Sequence, residues 1–254
     1  MLQVTGRSKQ ALKEYELALA IQENLAAKYP AVAQFRSDLA TSHYVVGDLL
    51  REQGKPEDGL KALKSAVTIQ LRLVNENRSE AEFQNALALS YNSIGLLLSE
   101  IDEDQALSDY KQALSILTTL VTDHPTITLY KIELASTCRS VSSLSRAMNL
   151  LAPAMKLGEV AFTIDKELAD VHPSVVQIQR ELAASYNNYG NLLMDDSEPA
   201  KALNYLELAL PIWQKLADAH PTVTQFQSEL ATCHNNINIV VKAIGEPKKA
   251  STPR

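Results

Sequence analysis

Phe35, Phe83, Tyr130, Ile178 and Phe226 follow one another at steps of 48, 47, 48 and 48 residues. Two further ladders keep the same step. One carries Leu39-Ala40, Leu87-Ala88, Leu134-Ala135, Leu182-Ala183 and Leu230-Ala231, and the other Pro30, Arg78, Pro125, Pro173 and Pro221. A fixed period of this size marks an array of stacked supersecondary units, each burying its apolar face against its neighbours. The 254 residues are therefore read as one array, residues 1–245, with a polar tail at 246–254.

Within each unit two amphipathic stretches, A and B, show apolar residues three and four apart. In the fourth unit Leu182, Tyr186, Tyr189 and Leu193 form the A stripe, and Leu203, Leu206, Leu210 and Trp213 the B stripe, with Trp213 assigned to the core. That period is helical, not alternating. Polar breaks such as Gln53-Gly54-Lys55-Pro56 and Asp195-Asp196-Ser197-Glu198 separate A from B, and Pro56, Pro153 and Pro199 fall in or near the first turn of B, where a missing N–H costs nothing. B meets the next A at Asp123-His124-Pro125-Thr126, Val171-His172-Pro173-Ser174 and Ala219-His220-Pro221-Thr222. Proline ends the outgoing helix, and Ser or Thr is placed to cap the incoming one. Histidines one unit apart stand about two helix diameters from each other, roughly 20 Å, too far to share a metal ion.

These signals predict ten helices: a lone B near 8–28, A/B pairs near 33–77, 80–123, 127–171 and 175–219, and a last A near 223–243. The repeats run 31–78, 79–125, 126–173 and 174–221, with a half repeat at 1–30 and a terminal A helix at 222–244. The first B carries Ala11-x3-Tyr15-x2-Ala18 with no A before it, and Thr5-Gly6 reads as a break. The chain thus reads as a piece of a longer array, or as one whose start has been assigned too late.

Tyr91-x2-Ile94-Gly95-x2-Leu98 followed by Ala106-x3-Tyr110, and Tyr186-x2-Tyr189-Gly190-x2-Leu193 followed by Ala202-x3-Leu206, resemble the tetratricopeptide repeat, whose period is 34 residues. Small residues at those places let helices A and B approach closely. The resemblance implies an all-α, right-handed helical-repeat solenoid of antiparallel helix pairs. The excess over 34 amounts to about seven residues per helix, close to two turns, so the added segments keep the same buried face. The third unit departs from the pattern: Ser142 replaces the helix-A glycine, Gly158 stands where Phe or Tyr is expected, and a softer helix follows. Pro211, inside the fourth B helix, is expected to kink it.

A net charge of −6 and a pI near 5.4 argue against a protein that holds nucleic acid by a general basic field. Cys138 and Cys233 lie in different repeats, which argues against a disulfide or thiolate metal site and for two small buried hydrophobes. No signal peptide is visible after Met1 and no run of 18 apolar residues occurs, so a cytoplasmic location without a membrane span is expected. The glycines form no Gly-x-Gly phosphate loop, and Gly-Lys-Ser/Thr, His-Glu-x-x-His and Gly-x-Ser-x-Gly are absent. A protein without enzymatic activity or cofactor, binding a protein or peptide partner, is the reading that remains.

The tetratricopeptide resemblance places partners in a concave groove lined by A helices. Carrying its groove-facing places over gives Ser37, Tyr44 and Arg51, then Asn85, Asn92 and Ser99. Later units give Ile132, Arg139 and Arg146, then Arg180, Asn187 and Met194, then Ser228, Asn235 and Lys242, with Asp48 and Asn191 in between. Asn92, Asn187 and Asn235 share one position in three units, and an amide that both donates and accepts suits the backbone of an extended peptide. Kinesin light chain arrays look similar. The alternative is that these amides bond to neighbouring helices. Arg139, Arg146 and Arg180 suggest an acidic or C-terminal peptide, unless Glu133 or Glu181 already pairs with them. A second functional reading remains beside the peptide scaffold. The Leu-Ala…His-Asn-Asn and His-Pro-x-Val wording also resembles regulatory arrays that follow bacterial serine/threonine kinase domains, notably in planctomycetes.

Overall fold

The computed structural model describes residues 2–245, with side chains from Leu12 onward. Ten helices make up the described residues, without a strand: α1 (Leu2–Lys28), α2 (Ala33–Glu52), α3 (Pro56–Glu76), α4 (Ala81–Leu98), α5 (Glu103–Asp123), α6 (Thr128–Ala147), α7 (Leu151–Val171), α8 (Val176–Asp195), α9 (Pro199–Ala219) and α10 (Thr224–Gly245). The even-numbered helices are the A elements and the odd-numbered ones the B elements. Helix α1 starts earlier than predicted and runs through Thr5-Gly6. One glycine costs a helix about 1 kcal/mol and does not by itself end it. The polar tail at 246–254 lies outside the described residues. No described helix is long and apolar enough to cross a membrane.

The chain divides into two compact units, Met1–Glu133 and Leu134–Arg254. In the first, α1 to α5 pack each against the next, and α2 also touches α4; in the second, α7 to α10 pack in the same serial manner and α8 touches α10. Serial contacts of this kind are what a stack of helix pairs produces.

Three of the four A/B crossings set a small residue against a large one. A Cβ added to Gly47 would lie 2.7 Å from Leu63 Cγ, one on Gly95 would lie 2.8 Å from Tyr110 Cδ1, and one on Gly190 would lie 2.9 Å from Leu206 Cγ. Leu63, Tyr110 and Leu206 are fully enclosed. In the third pair both residues are small. Gly158 is on the B helix, where a Cβ would meet Leu192 Cδ1 at 2.9 Å and Tyr189 Cδ2 at 3.1 Å. Ser142, on the A helix, donates its hydroxyl to the Ala154 carbonyl at 2.8 Å. Two small residues at this crossing leave room that the side chains of α8 fill, so the glycine missing from α6 has a counterpart on α7.

The B-to-A junctions are β-turns. The carbonyls of Tyr29, Asn77, His124, His172 and His220 accept from the N–H three residues on, at Val32, Glu80, Ile127, Val175 and Val223, with distances of 3.0–3.2 Å. Proline at the second turn position fixes the φ that such a turn requires. The hydroxyl residue is not the cap it was expected to be: the N-cap of α8 is Val175, which makes no side-chain cap bond. Ser174 is instead consumed as the third turn residue, since the turn needs one more residue before helix begins. Capping by a side chain occurs at an A-to-B break, where Asp102 accepts from Gln105 N–H at 3.1 Å. The turn also explains part of the aromatic ladder. Tyr29 meets Phe35, His124 meets Tyr130 and His220 meets Phe226, with ring centroids 5.8, 6.0 and 5.8 Å apart.

Helix α9 continues unbroken through Pro211, and Trp213 beside it is buried with its indole N–H unpaired. Cys138 and Cys233 are buried free thiols.

Helix propensity alone would make Gly95→Ala stabilising by about 1 kcal/mol. Because the new methyl would strike the enclosed Tyr110 ring, we expect the opposite sign: a loss of about 1–3 kcal/mol and a lower Tm by calorimetry. An unchanged or raised Tm would show that the crossing has slack.

Candidate functional site

In the unit Leu134–Arg254 a furrow opens on α6, α8 and α10. It consists of three recesses of about 520, 70 and 390 Å³, all of which include Arg146. Ser143 and Asp195 line the first, Asn188 and Asn191 the second, and Asn191, Met194, Asn236 and Ile239 the third. Among the described residues, the side-chain amides of Asn188, Asn191 and Asn236 have no partner within the chain. A row of free amides along a furrow presents donors and acceptors together, which is the chemistry of a peptide backbone.

Of the residues expected here, Arg146, Asn191 and Met194 do line the furrow. Asn187 does not. It is 5 % exposed, and its Oδ1 is buried without a partner. The open amide is its neighbour, Asn188. On α10 the shift repeats: Asn235 is exposed but lies outside the recesses, and Asn236 lines one. A turn of one residue on a helix is about 100°, enough to exchange core for surface. The signal was in the sequence, since Asn187 stands four residues after Ala183 and three before Gly190, on the face that meets helix B. Lys242 is exposed near the end of α10.

Arg139 is also misplaced as a groove residue. Its guanidinium, 12 % exposed, bonds to Asp165 on α7 and, at 2.5 Å, to Glu181 on α8. The Ser185 hydroxyl donates to the same Asp165 carboxylate at 2.5 Å. Burial holds the Asp165 carboxyl above the usual carboxylate range, while Arg139 and Ser185 pull it back. Next to it, burial pushes the Cys138 thiol up to about 12, so no thiolate forms there. Arg180 donates to Glu181 at 2.5 Å, and Arg146 is paired with Asp195 through Nε and, at 3.2 Å, Nη2. All three arginines thus already face carboxylates. The pairing that the sequence offered through Glu181 is present, and at these three arginines no free cationic surface is formed.

In the unit Met1–Glu133 the expected residues lie on α2 and α4. Arg51 donates to Asp48 one turn earlier on α2, at 2.7 Å and 2.9 Å. The half-buried Tyr44 bonds to Ser93, and its hydroxyl is raised chiefly by burial. Asn92 has its Oδ1 buried without a partner, as does Asn85, 9 % exposed. At the repeat position they share, Asn92 and Asn187 therefore belong to the packing of the A helix, whereas Asn235 is exposed.

Residues 182–222, the greater part of α8 and α9, match the tetratricopeptide repeat family. The match supports a tetratricopeptide reading of this repeat. No curated protein matches the chain. Among solved structures, BtubC (BKLC) from P. vanneervenii is similar at a TM-score of 0.60 and 15 % identity, over 97 % of each chain. A Podosopora anserina protein of the kinesin light chain type, with nearly identical TPR-like repeats, is similar at 0.50 and 23 % identity, over 83 % of this chain and 92 % of that one. The yeast histone chaperone Hif1, described as a scaffold recruiting protein complexes to core histones, is similar at 0.50 and 13 % identity, over 80 % and 95 %. At these identities the likeness establishes the fold, an all-α array of tetratricopeptide-like helix pairs.

Removing Arg139 leaves Asp165 buried without a cation. Arg139→Ala is expected to cost about 3–5 kcal/mol at pH 7 in urea denaturation. A carboxyl whose folded pKa lies above its unfolded one loses stability as pH rises between the two values. The deficit of the variant should therefore shrink as pH is lowered from 7 and Asp165 takes up a proton; a pH-independent deficit would show that Arg139 acts by packing alone.

Proposed function

We propose that the protein is a non-catalytic protein-interaction module that holds an extended peptide segment in the furrow on α6, α8 and α10. The observation that carries this reading is the set of unpaired amides, Asn188, Asn191 and Asn236, along connected recesses. Tetratricopeptide-like arrays are in general scaffolds for protein partners, and Hif1 is described as one, which supports the same class for this chain. An amide row satisfies main-chain N–H and C=O groups and is indifferent to side chains, so it recognises an extended strand before it recognises a sequence.

An acidic or C-terminal segment is not favoured at this furrow. Arg146 is the one arginine within it, and Asp195 already neutralises its charge. The kinase-linked reading draws its support from sequence wording alone, and nothing in the furrow bears on it.

Each amide hydrogen bond contributes about 1 kcal/mol net. The triple variant Asn188→Ala, Asn191→Ala and Asn236→Ala should weaken partner capture at least ~10-fold in an affinity pull-down quantified by mass spectrometry. Its Tm should stay close to that of the wild type, because none of the three amides bonds within the chain. Equal capture by both proteins would remove the furrow as the binding surface.

A further inference from the structure

A second recess, of about 370 Å³, lies on the α8/α9 pair apart from the furrow. Pro173, Val176 and Gln179 belong to one wall, and Pro211, Ile212 and Lys215 to the other. None of its lining residues is a carboxylate, and Lys215 with His220 are its titratable groups, in a chain whose net charge is −6. Among the described residues Lys215 is exposed and makes no ion pair. Apolar surface continues beyond the recess: Val176 is 39 % exposed, and Leu208, one turn before Ile212 on α9, is 51 % exposed.

Pro211 adds an observation of a different kind. At the equivalent places in other B helices stand Thr68 and Thr163, whose hydroxyls bond back to the carbonyls of Lys64 and Glu159, each at 2.8 Å. Proline has neither hydroxyl nor N–H, so the Glu207 carbonyl, four residues earlier, loses its helical donor. A proline in a helix interior costs about 3 kcal/mol, and local rules broken without a gain in packing concentrate where a protein binds or acts. Here the break opens a backbone acceptor beside an apolar recess.

We propose that this recess docks a partner segment presenting an aliphatic side chain next to a carboxylate. The aliphatic group enters between Pro173, Val176, Pro211 and Ile212, the carboxylate meets Lys215, and the freed Glu207 carbonyl takes a donor from the segment. Charge complementarity selects this partner: the acidic remainder of the surface repels an acidic segment, and the basic edge of the recess orients it. The furrow, by contrast, is neutral, so the two surfaces take segments of different chemistry.

The test uses the full chain and two fluorescein-labelled twelve-residue peptides, followed by fluorescence polarisation. One carries leucines at helical spacing with glutamates between them, and its twin has lysine for every glutamate. The acidic peptide should bind at least ~10-fold tighter than its twin. Lys215→Glu should invert that order, Ile212→Asp should abolish binding of both, and the furrow variant lacking Asn188, Asn191 and Asn236 should bind as the wild type does. Lys215 is exposed, so its variant keeps the fold, which circular dichroism checks. No binding of the acidic peptide, equal binding of the twins, indifference to Lys215→Glu, or loss on the furrow variant would each overturn the proposal.

Discussion

The close crossing of helices A and B is the constraint from which the remaining architecture follows. At Gly47, Gly95 and Gly190 the backbone of one helix meets an enclosed large side chain of the other at a distance that admits no Cβ. A crossing so tight fixes the depth at which the two helices interlock, and hence which residues of A reach the next unit and which remain at the surface. The pair of small residues Ser142 and Gly158 shows that the requirement concerns combined volume, not glycine on a given helix. With two small residues facing each other, Leu192 and Tyr189 of α8 move into the space.

One repeat position in the interior carries polar groups in each unit, and its content differs between them. In repeat register, Arg139, Asp165 and Ser185 correspond to Tyr44, Gln70 and Ser90 in the first unit and to Asn187, Trp213 and Cys233 at α8 to α10. Only the first set is mutually satisfied by hydrogen bonds and charge. Among the described residues, Gln70 Oε1, Ser90 Oγ, Asn187 Oδ1 and Trp213 Nε1 have no hydrogen-bond partner. Replacing a buried ion network with apolar residues is often neutral or stabilising, whereas breaking one partner is costly. Such a network therefore does more to specify which helices adjoin than to raise stability. Since the arginine, aspartate and serine lie on three successive helices, a stack in another order would strand a charge.

Helix number, the A/B alternation and the places of the breaks were legible in the sequence because they rest on local rules: apolar spacing, proline position and turn residues. The crossing residues were legible for the same reason. What stayed hidden depended on rotation and on partners. Asn187 and Asn188 are equally polar, and only the helical spacing to Ala183 and Gly190 separates a core amide from an open one. Nothing in the residues around Arg139 reveals that Asp165, 26 residues on, claims it. A sequence places a charge on a helix face, but the third dimension decides whether that charge is still available. Ser174 illustrates a competition between two local rules, in which turn geometry at His172-Pro173 prevailed over the capping tendency of the hydroxyl.

Helix α8 unites these threads. It supplies Asn188 and Asn191 to the furrow, Val176 and Gln179 to the proline-edged recess, Glu181 and Ser185 to the ion network, and Gly190 to the crossing with α9. The two candidate surfaces draw on residues about three turns apart on this one helix. A helix fixed by a close crossing at one end and by a three-helix charge network near its middle has little freedom to rotate about its axis. The helix axis thus fixes where Asn188 and Asn191 sit along the furrow, and only their side-chain rotamers, about 0.5–1.5 kcal/mol each, are left to be ordered on binding. On the proposed reading, this positioning through α8 is what a neutral, sequence-indifferent furrow requires of its scaffold.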